Sequence, residues 1–290
     1  MADLALLVLT LLWGTTFHFV KVVLEVASAG VFLAGRFATA ALVLALAWLV
    51  RRDRPGPRLL REGVLLGLFM LAGFVLQTLG LRFTTPSRSG FLTGLSVLVV
   101  PFVARFALGR RVRSASWVGV VLAVAGLAVL TRAFGDGTSG EVRLGDALTV
   151  GCAVAFALQI VFTSEWSPRH PLVPFVLVQL LVAFAGALLL VPLEAPRLDR
   201  AGLARFAGTV AFTGVAMTAA AFLVMNWAQR RTTAVRAALV FSLEPVAAAL
   251  FSHVYGGEPL SRADWTGGAL VVLGVVVGEV GGALERGPPA

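Results

Sequence analysis

Ten long apolar segments run along the 290-residue chain, separated by short stretches of charged and turn-forming residues. They cover approximately residues 4–24, 31–50, 63–81, 87–108, 115–132, 144–164, 172–192, 207–227, 234–255 and 265–282. Each is close to the length of about 20 residues that an α-helix needs to cross a bilayer. None alternates between polar and apolar residues as barrel strands do, and only helices and closed barrels satisfy the backbone in lipid. The pattern predicts an all-α polytopic membrane protein with ten transmembrane helices.

Composition narrows the class of protein further. Charged residues make up 13% of the chain and hydrophobic residues 58%, whereas an average soluble domain has about 25% charged residues. This excludes a soluble enzyme, a disordered chain and a secreted disulfide scaffold, and a lone cysteine, Cys152, excludes an internal disulfide. The net charge of +9 comes from basic residues spread between the segments, so we expect no nucleic-acid partner.

The basic residues also predict the orientation of the chain. If the N-terminus is cytoplasmic, 14 of the 24 Lys and Arg residues lie on the cytoplasmic side. The adjacent pairs Arg51-Arg52, Arg110-Arg111 and Arg230-Arg231 all lie there. Because short cytoplasmic loops carry an excess of Lys and Arg, we expect both termini in the cytoplasm.

An internal repeat relates the two halves of the sequence. A shift of 148 residues aligns 80–130 with 228–278 without a gap, and 13 of the 51 positions are identical. The identities include Trp117 with Trp265 and Gly126 with Gly274. The shift predicts two five-helix repeats, over residues 1–133 and 144–282, in a single membrane unit. Because five is odd, the second repeat would be inverted, as in secondary transporters whose site lies between repeats near the midplane.

Four short motifs resemble those of a known family. They are Leu11-Leu12-Trp13-Gly14-Thr15-Thr16-Phe17, Gly35-Arg36-Phe37-Ala38, Ser242-Leu243-Glu244-Pro245 and Gly257-Glu258-Pro259-Leu260. In this order and spacing, over the whole chain, they resemble the EamA-type ten-helix permeases of the drug/metabolite transporter (DMT) superfamily. The resemblance implies a bacterial inner-membrane exporter of small metabolites, most similar to exporters of amino acids, including aromatic ones, with two repeats around a central cavity. The first repeat departs from the pattern, since Gly94-Leu95-Ser96-Val97 stands where the second has Ser242-Leu243-Glu244-Pro245.

Glu244 is the acidic residue that the pattern places near the middle of a span. It lies eight residues beyond Arg236, which corresponds to about 12 Å of helix. An ionisable group at this depth is costly and usually marks function. The next residue, Pro245, interrupts the helical hydrogen bonds, and we expect Pro101 to do so in the matching fourth segment. Two roles stay open: a carboxylate that couples export to protons, or a hydrogen-bonding partner for a substrate ammonium or a neighbouring helix.

Other polar and aromatic side chains inside the segments are candidates for the wall of a substrate pathway. Gln77, Gln159 and Asn226 could instead join helices by hydrogen bonds, and His18 could be a packed, hydrogen-bonded residue of the core. The full set of candidates is Trp13, Thr15, His18, Gln77, Ser96, Phe156, Gln159, Asn226, Phe241 and Glu244. The aromatic members suit neutral or aromatic amino acids.

The tenth segment carries glycines on one helical face. Their spacing of seven, four and four residues places Gly267, Gly274, Gly278 and Gly282 on that face. Small residues let helix backbones approach closely in membranes. We expect close contact there with the fifth segment or with a second protomer.

The chain lacks the motifs of other function classes. It has no G-x-x-x-x-G-K-[ST], H-E-x-x-H or G-x-S-x-G sequence, and its three histidines are scattered. We therefore expect no enzyme activity, no cofactor and no metal site. The leading hypothesis is a secondary transporter that exports amino acids or similar metabolites across the lipid bilayer by alternating access. We expect one protomer to be sufficient for transport, and the oligomeric state is open. The alternatives are a membrane-embedded lipid-handling protein or enzyme, and a non-transporting membrane subunit.

Overall fold

Helices lie within all ten apolar segments in the computed structural model, which describes residues 1–84, 86–130, 140–194, 198, 202–256 and 260–284. The helices are α1 (Ala2–Val26), α2 (Ala29–Arg51), α3 (Pro57–Phe83), α4 (Pro86–Gly94), α5 (Ser96–Leu108), α6 (Ser114–Leu130), α7 (Gly140–Trp166), α8 (Leu172–Leu190), α9 (Leu203–Gly214), α10 (Ala221–Gln229), α11 (Ala234–Phe241), α12 (Glu244–Gly256) and α13 (Arg262–Leu284). A π-helical segment, Val215–Ala220, joins α9 to α10. Gly257, Glu258 and Pro259 of the fourth sequence motif lie outside the described residues.

Eight helical stretches within the described residues are long and apolar enough to cross a membrane, and Ser114–Val129 is a shorter apolar helix. Apolar side chains lie on the outside of these helices as well as inside. On α2, for example, Leu42 and Leu49 are more than half exposed, while Phe32 and Phe37 on the same helix are fully buried. An exposed apolar surface of this kind suits contact with lipid chains.

Two of the spans are broken at equivalent positions. Leu95 separates α4 from α5, and Ser242 and Leu243 separate α11 from α12. Leu95 and Leu243 are a pair of identical residues under the 148-residue shift. Pro245 lies in the first turn of α12, where its missing N–H group costs little. The fourth span is thus broken as expected, but at Leu95 and not at Pro101, which lies inside α5.

The two breaks face each other. A Cβ atom at Gly94 would lie 3.6 Å from Cγ of Pro245, and one at Gly90 would lie 3.8 Å from the same ring. The fourth span therefore breaks close to the proline of the ninth.

The glycine face of α13 packs against α6. A Cβ atom at Gly119 would lie 2.6 Å from the carbonyl oxygen of Gly274, and one at Gly126 would lie 2.6 Å from that of Gly267. We call this contact the glycine seam. Its two contacts run in opposite directions along the helices, so α6 and α13 are antiparallel. The predicted close contact is confirmed, and its partner is the fifth segment of the same chain; Gly282 lies outside the residues whose contacts are described.

Candidate functional site

A cavity of about 70 Å³ lies among α1, α2, α3, α7, α10 and the two broken spans. Seven of the ten predicted pathway residues line this central cavity. They are Trp13, Gln77, Ser96, Phe156, Gln159, Phe241 and Glu244. Both breaks contribute to it: Gly94 and Ser96 flank one, and Phe241 and Glu244 flank the other.

The other three predicted residues lie elsewhere. The Thr15 hydroxyl donates to the carbonyl oxygen of Leu12 in its own helix, at 2.7 Å. His18 is exposed on α1 and meets Phe19 edge-on, with 6.0 Å between ring centroids. Asn226 is fully buried, and its Nδ2 donates to the carbonyl oxygen of Phe222 at 2.9 Å. None of the three is in the described wall of the cavity.

Arg36 is the basic residue in the cavity wall. It lies in α2 and is 3% exposed. Its Nε donates to Oγ1 of Thr218 at 2.7 Å and its Nη2 to the carbonyl oxygen of Met217 at 3.5 Å. The guanidinium carbon also lies 4.5 Å from the ring centroid of Phe74, a cation–π geometry. These contacts hold the guanidinium in place beside the cavity.

The π-helical segment supplies both oxygens that Arg36 uses. Thr218 and Met217 lie in Val215–Ala220, and the Met217 carbonyl also accepts a hydrogen bond from Nε1 of Trp13 at 3.1 Å. A π turn displaces backbone carbonyls from the regular helical pattern and is frequent at functional sites. One irregular segment thus fixes an arginine and a tryptophan of the same wall.

Glu244 begins α12 and lines the cavity together with Arg36. The wall of this cavity therefore contains both a basic and an acidic side chain. Gly14 brings α1 close to this helix start, since a Cβ atom there would lie 2.9 Å from the backbone oxygen of Glu244. The first and third sequence motifs therefore meet at the cavity.

Amide and hydroxyl groups add hydrogen-bonding capacity to the wall. Nε2 of Gln77 donates to Oγ1 of Thr93 at 3.2 Å, and Nε2 of Gln159 donates to Oε1 of Gln179 at 3.0 Å. Oε1 of Gln159 is buried and has no hydrogen-bond partner among the described residues. Since a buried carbonyl oxygen without a partner is costly, this atom is an acceptor available to a ligand in the cavity.

Aromatic rings form the apolar part of the wall. Trp13 lies against Phe222 and Phe241, with ring centroids 5.9 and 5.5 Å apart. Phe156 meets Phe74 edge-on at 5.4 Å. The cavity thus combines one guanidinium, one carboxylate and an aromatic surface. Among the described residues, no group of His, Cys, Asp or Glu side chains could hold a metal ion.

Sequence reasoning missed Arg36 as a site residue, although it quoted Arg36 within a motif. The signal was present, since Arg36 is an arginine inside an apolar segment and the argument applied to Glu244 applies equally to it. Further wall residues were missed for lack of a distinguishing pattern: Thr16, Phe74, Thr93, Ile160, Phe222 and Met225.

Comparison with known proteins identifies the group to which these features belong. The model of the EamA-like transporter family matches residues 1–132 and 143–278. An uncharacterized transporter of Archaeoglobus fulgidus is 30% identical over 288 residues, which are 95% of this chain and 85% of the relative. The uncharacterized inner membrane transporter YedA of Escherichia coli K12 is 26% identical over 98% of this chain and 92% of its own length. A solved crystal structure has the same fold, with a TM-score of 0.80 and 24% identity over 100% of this chain and 99% of that one.

Proposed function

Because the chain belongs to the EamA-like transporter family and is a multi-pass integral membrane protein, we propose that it exports amino acids by alternating access. The observation that carries this substrate class is the pairing of Arg36 with Glu244 in the wall of one cavity. A free amino acid has a carboxylate and an ammonium a few ångströms apart. Arg36 would bind the carboxylate through charge-assisted hydrogen bonds, and Glu244 would bind the ammonium.

The aromatic wall supports a neutral or aromatic side chain on the substrate. Trp13, Phe74, Phe156, Phe222 and Phe241 would surround it. Aromatic rings prefer offset or edge-to-face contacts with one another, and the rings of the wall already have such geometry.

The size of the cavity supports a conformational change during transport. A volume of about 70 Å³ corresponds to about five water molecules. An amino acid with a large side chain needs more space, so the helices must separate to admit it. The breaks at Leu95 and Leu243 divide two of the lining spans into shorter helices that can tilt separately. Alternating access supplies this opening, first on one side of the membrane and then on the other.

We also propose that the chain is a ten-helix protein made of two inverted five-helix repeats. Two observations support it. The first is that the two helix breaks are related by the 148-residue shift. The second is that the same shift relates the two contacts of the glycine seam, since Gly119 corresponds to Gly267 and Gly274 corresponds to Gly126. A contact that maps onto itself, between antiparallel helices, is what a two-fold axis in the membrane plane produces.

The location proposed is a bacterial inner membrane, with both termini in the cytoplasm. The relative from Escherichia coli carries the name inner membrane transporter. The excess of Lys and Arg in alternate loops supports the orientation. In this orientation, export begins with binding from the side on which α1 starts.

The test is counterflow in liposomes that contain only the purified protein. Vesicles loaded with an unlabelled amino acid should take up the same labelled amino acid faster than empty vesicles do. Competition by each of the twenty amino acids and by simple amines then gives the substrate range. We expect amino acids to compete and amines without a carboxylate to fail, because they leave Arg36 without a partner. Absence of counterflow for every amino acid would contradict the proposed substrate class.

A further inference from the structure

A second cavity, of about 330 Å³, lies at the end of the bundle where α1 begins. We propose that it binds the phosphate group of a ligand, either an anionic phospholipid headgroup or soluble phosphate. We call it the arginine pocket, because its wall contains Arg110, Arg111, Arg113 and Arg236. Its position follows from Arg236, whose Nη2 lies 3.3 Å from Oδ2 of Asp3 in the first turn of α1.

The charge of the arginine pocket favours an anion. Four arginines face one acidic residue, Glu165, within the described wall. Nη2 of Arg110 donates to Oε2 of Glu165 at 2.8 Å, and this contact raises the pKa of Arg110. All four guanidinium groups are charged at neutral pH. A guanidinium has five N–H donors, more than one carboxylate oxygen can use. Arginine matches the geometry of phosphate oxygens especially well.

Hydroxyl groups provide a second and independent indication. Ser116, Ser164, Thr232 and Thr233 all lie in the wall. Oγ of Ser164 and Oγ1 of Thr232 are buried and have no hydrogen-bond partner among the described residues. A hydroxyl can donate to a phosphate oxygen, so a bound phosphate would satisfy both of these atoms.

Two helices begin beside the pocket. α6 starts at Ser114 and α11 at Ala234, close in sequence to Ser116 and Thr233 of the wall. The first turn of a helix carries partial positive charge and favours an anion nearby. The helix starts therefore add to the field of the arginines.

The arginine pocket is separate from the central cavity. On one side its wall is formed by α5, α7 and α11, three helices that also line the central cavity. On the other side it is formed by α6 and α13, which contribute Ser116 and Gly278. α6 and α13 supply no residue to the described wall of the central cavity. The remaining wall is apolar and includes Leu108, Val161 and Val235. A pocket with both charged and apolar walls suits a phospholipid, because the charged wall can bind the headgroup and the apolar wall can contact the first carbons of the acyl chains. Basic pockets between membrane helices bind anionic headgroups in this way.

The test measures lipid binding to the full chain in a neutral detergent by native mass spectrometry. The probes are phosphatidylglycerol and, as the zwitterionic comparison, phosphatidylcholine. The pocket variant is the double substitution Arg111→Gln and Arg113→Gln. The matched control is Arg54→Gln and Arg58→Gln, which removes the same charge from two exposed arginines. Arg58 lies in the first turn of α3, whose Glu62 bonds to His170 just beyond α7, so the control arginines lie at the same end of the bundle.

We expect the wild-type protein to bind phosphatidylglycerol in preference to phosphatidylcholine. The affinity of the pocket variant for phosphatidylglycerol should be at least tenfold lower than that of the wild type. The affinity of the control variant should stay within twofold of the wild-type value. Thr232→Val, which keeps the charge and size, should weaken binding severalfold. Inorganic phosphate at millimolar concentration distinguishes the sources: displacement of the lipid indicates soluble phosphate, and no displacement indicates the headgroup. Equal losses in the pocket and control variants, or equal binding of the two lipids, would overturn the proposal. A melting curve of each lipid-free variant identifies any that fails to fold.

Discussion

Helices pack in opposite ways at the glycine seam and around the central cavity: closely at the seam, and with interruptions around the cavity. In the seam, the backbones of α6 and α13 are so close that a Cβ atom added to Gly119 or Gly126 would lie 2.6 Å from a backbone oxygen of α13. The described contacts of the seam involve no titratable side chain, and both helices run unbroken over their described residues. Around the cavity, the helices are interrupted at Leu95, at Leu243 and by a π turn, and two opposite charges are enclosed.

This difference separates what holds the protein together from what it does. Close backbone contact between small residues is a source of stability inside a membrane. Buried charges and helix breaks cost stability, and they persist where function needs them. Substitutions in the two regions should therefore affect different measurements: the melting temperature for the seam, and transport for the cavity.

The largest effect is expected for Arg36→Gln. This change removes the proposed partner of the substrate carboxylate, and losing a charged hydrogen-bond partner in a buried site corresponds to about a 100-fold loss. Counterflow at low substrate concentration measures it. Arg51→Gln is the control, because the side chain of Arg51 is 66% exposed. Undiminished counterflow in Arg36→Gln, with the protein correctly folded, would remove Arg36 from the substrate site.

Glu244→Gln should distinguish the two roles considered for Glu244, proton coupling and hydrogen bonding. The amide keeps the shape of the side chain but cannot ionise. If Glu244 couples export to protons, accumulation driven by a pH gradient is lost while counterflow persists within about threefold of wild type. If Glu244 instead binds the substrate ammonium, counterflow at low substrate concentration falls as well. Glu25→Gln is the control, since the Glu25 side chain is 67% exposed. Accumulation against the gradient with unchanged pH dependence would show that Glu244 is not the coupling group.

The smallest effect on transport is expected from Gly274→Leu in the seam. The added side chain would meet the carbonyl oxygen of Gly119 at its first carbon, and overpacking of this kind costs about 2 kcal/mol. The melting temperature should fall by several degrees, with substrate specificity unchanged. Gly208→Leu is the matched control, because a Cβ atom there meets nothing within 4 Å. A wild-type melting curve for Gly274→Leu would contradict the role assigned to the seam.

The helices and the seam were predictable because their signals are local. A run of about 20 apolar residues predicts a helix whatever its neighbours are, and glycines on one face predict a close contact. The sequence alone left the partner of that contact open. It lies about 150 residues away along the chain, at Gly119.

The cavity was predictable only in part. Glu244 was found because a carboxylate inside an apolar segment is conspicuous, whereas Thr93 and Met225 look like any other residue of a membrane helix. Asn226 shows the reverse case, since its amide binds within its own helix. The break at Leu95 lies close to Pro245 from the other half of the chain, a neighbour that no local pattern reveals.

The glycine seam also bears on how the protein is made. α6 and α13 are the last described helices of the two family matches, so α6 is synthesised long before its partner exists. Until α13 enters the membrane, the glycine face of α6 lacks this partner. Because contacts between distant parts of a chain form late, we expect closure of the seam to be a late step of assembly. The seam can therefore form only when helices from both family matches are in the membrane.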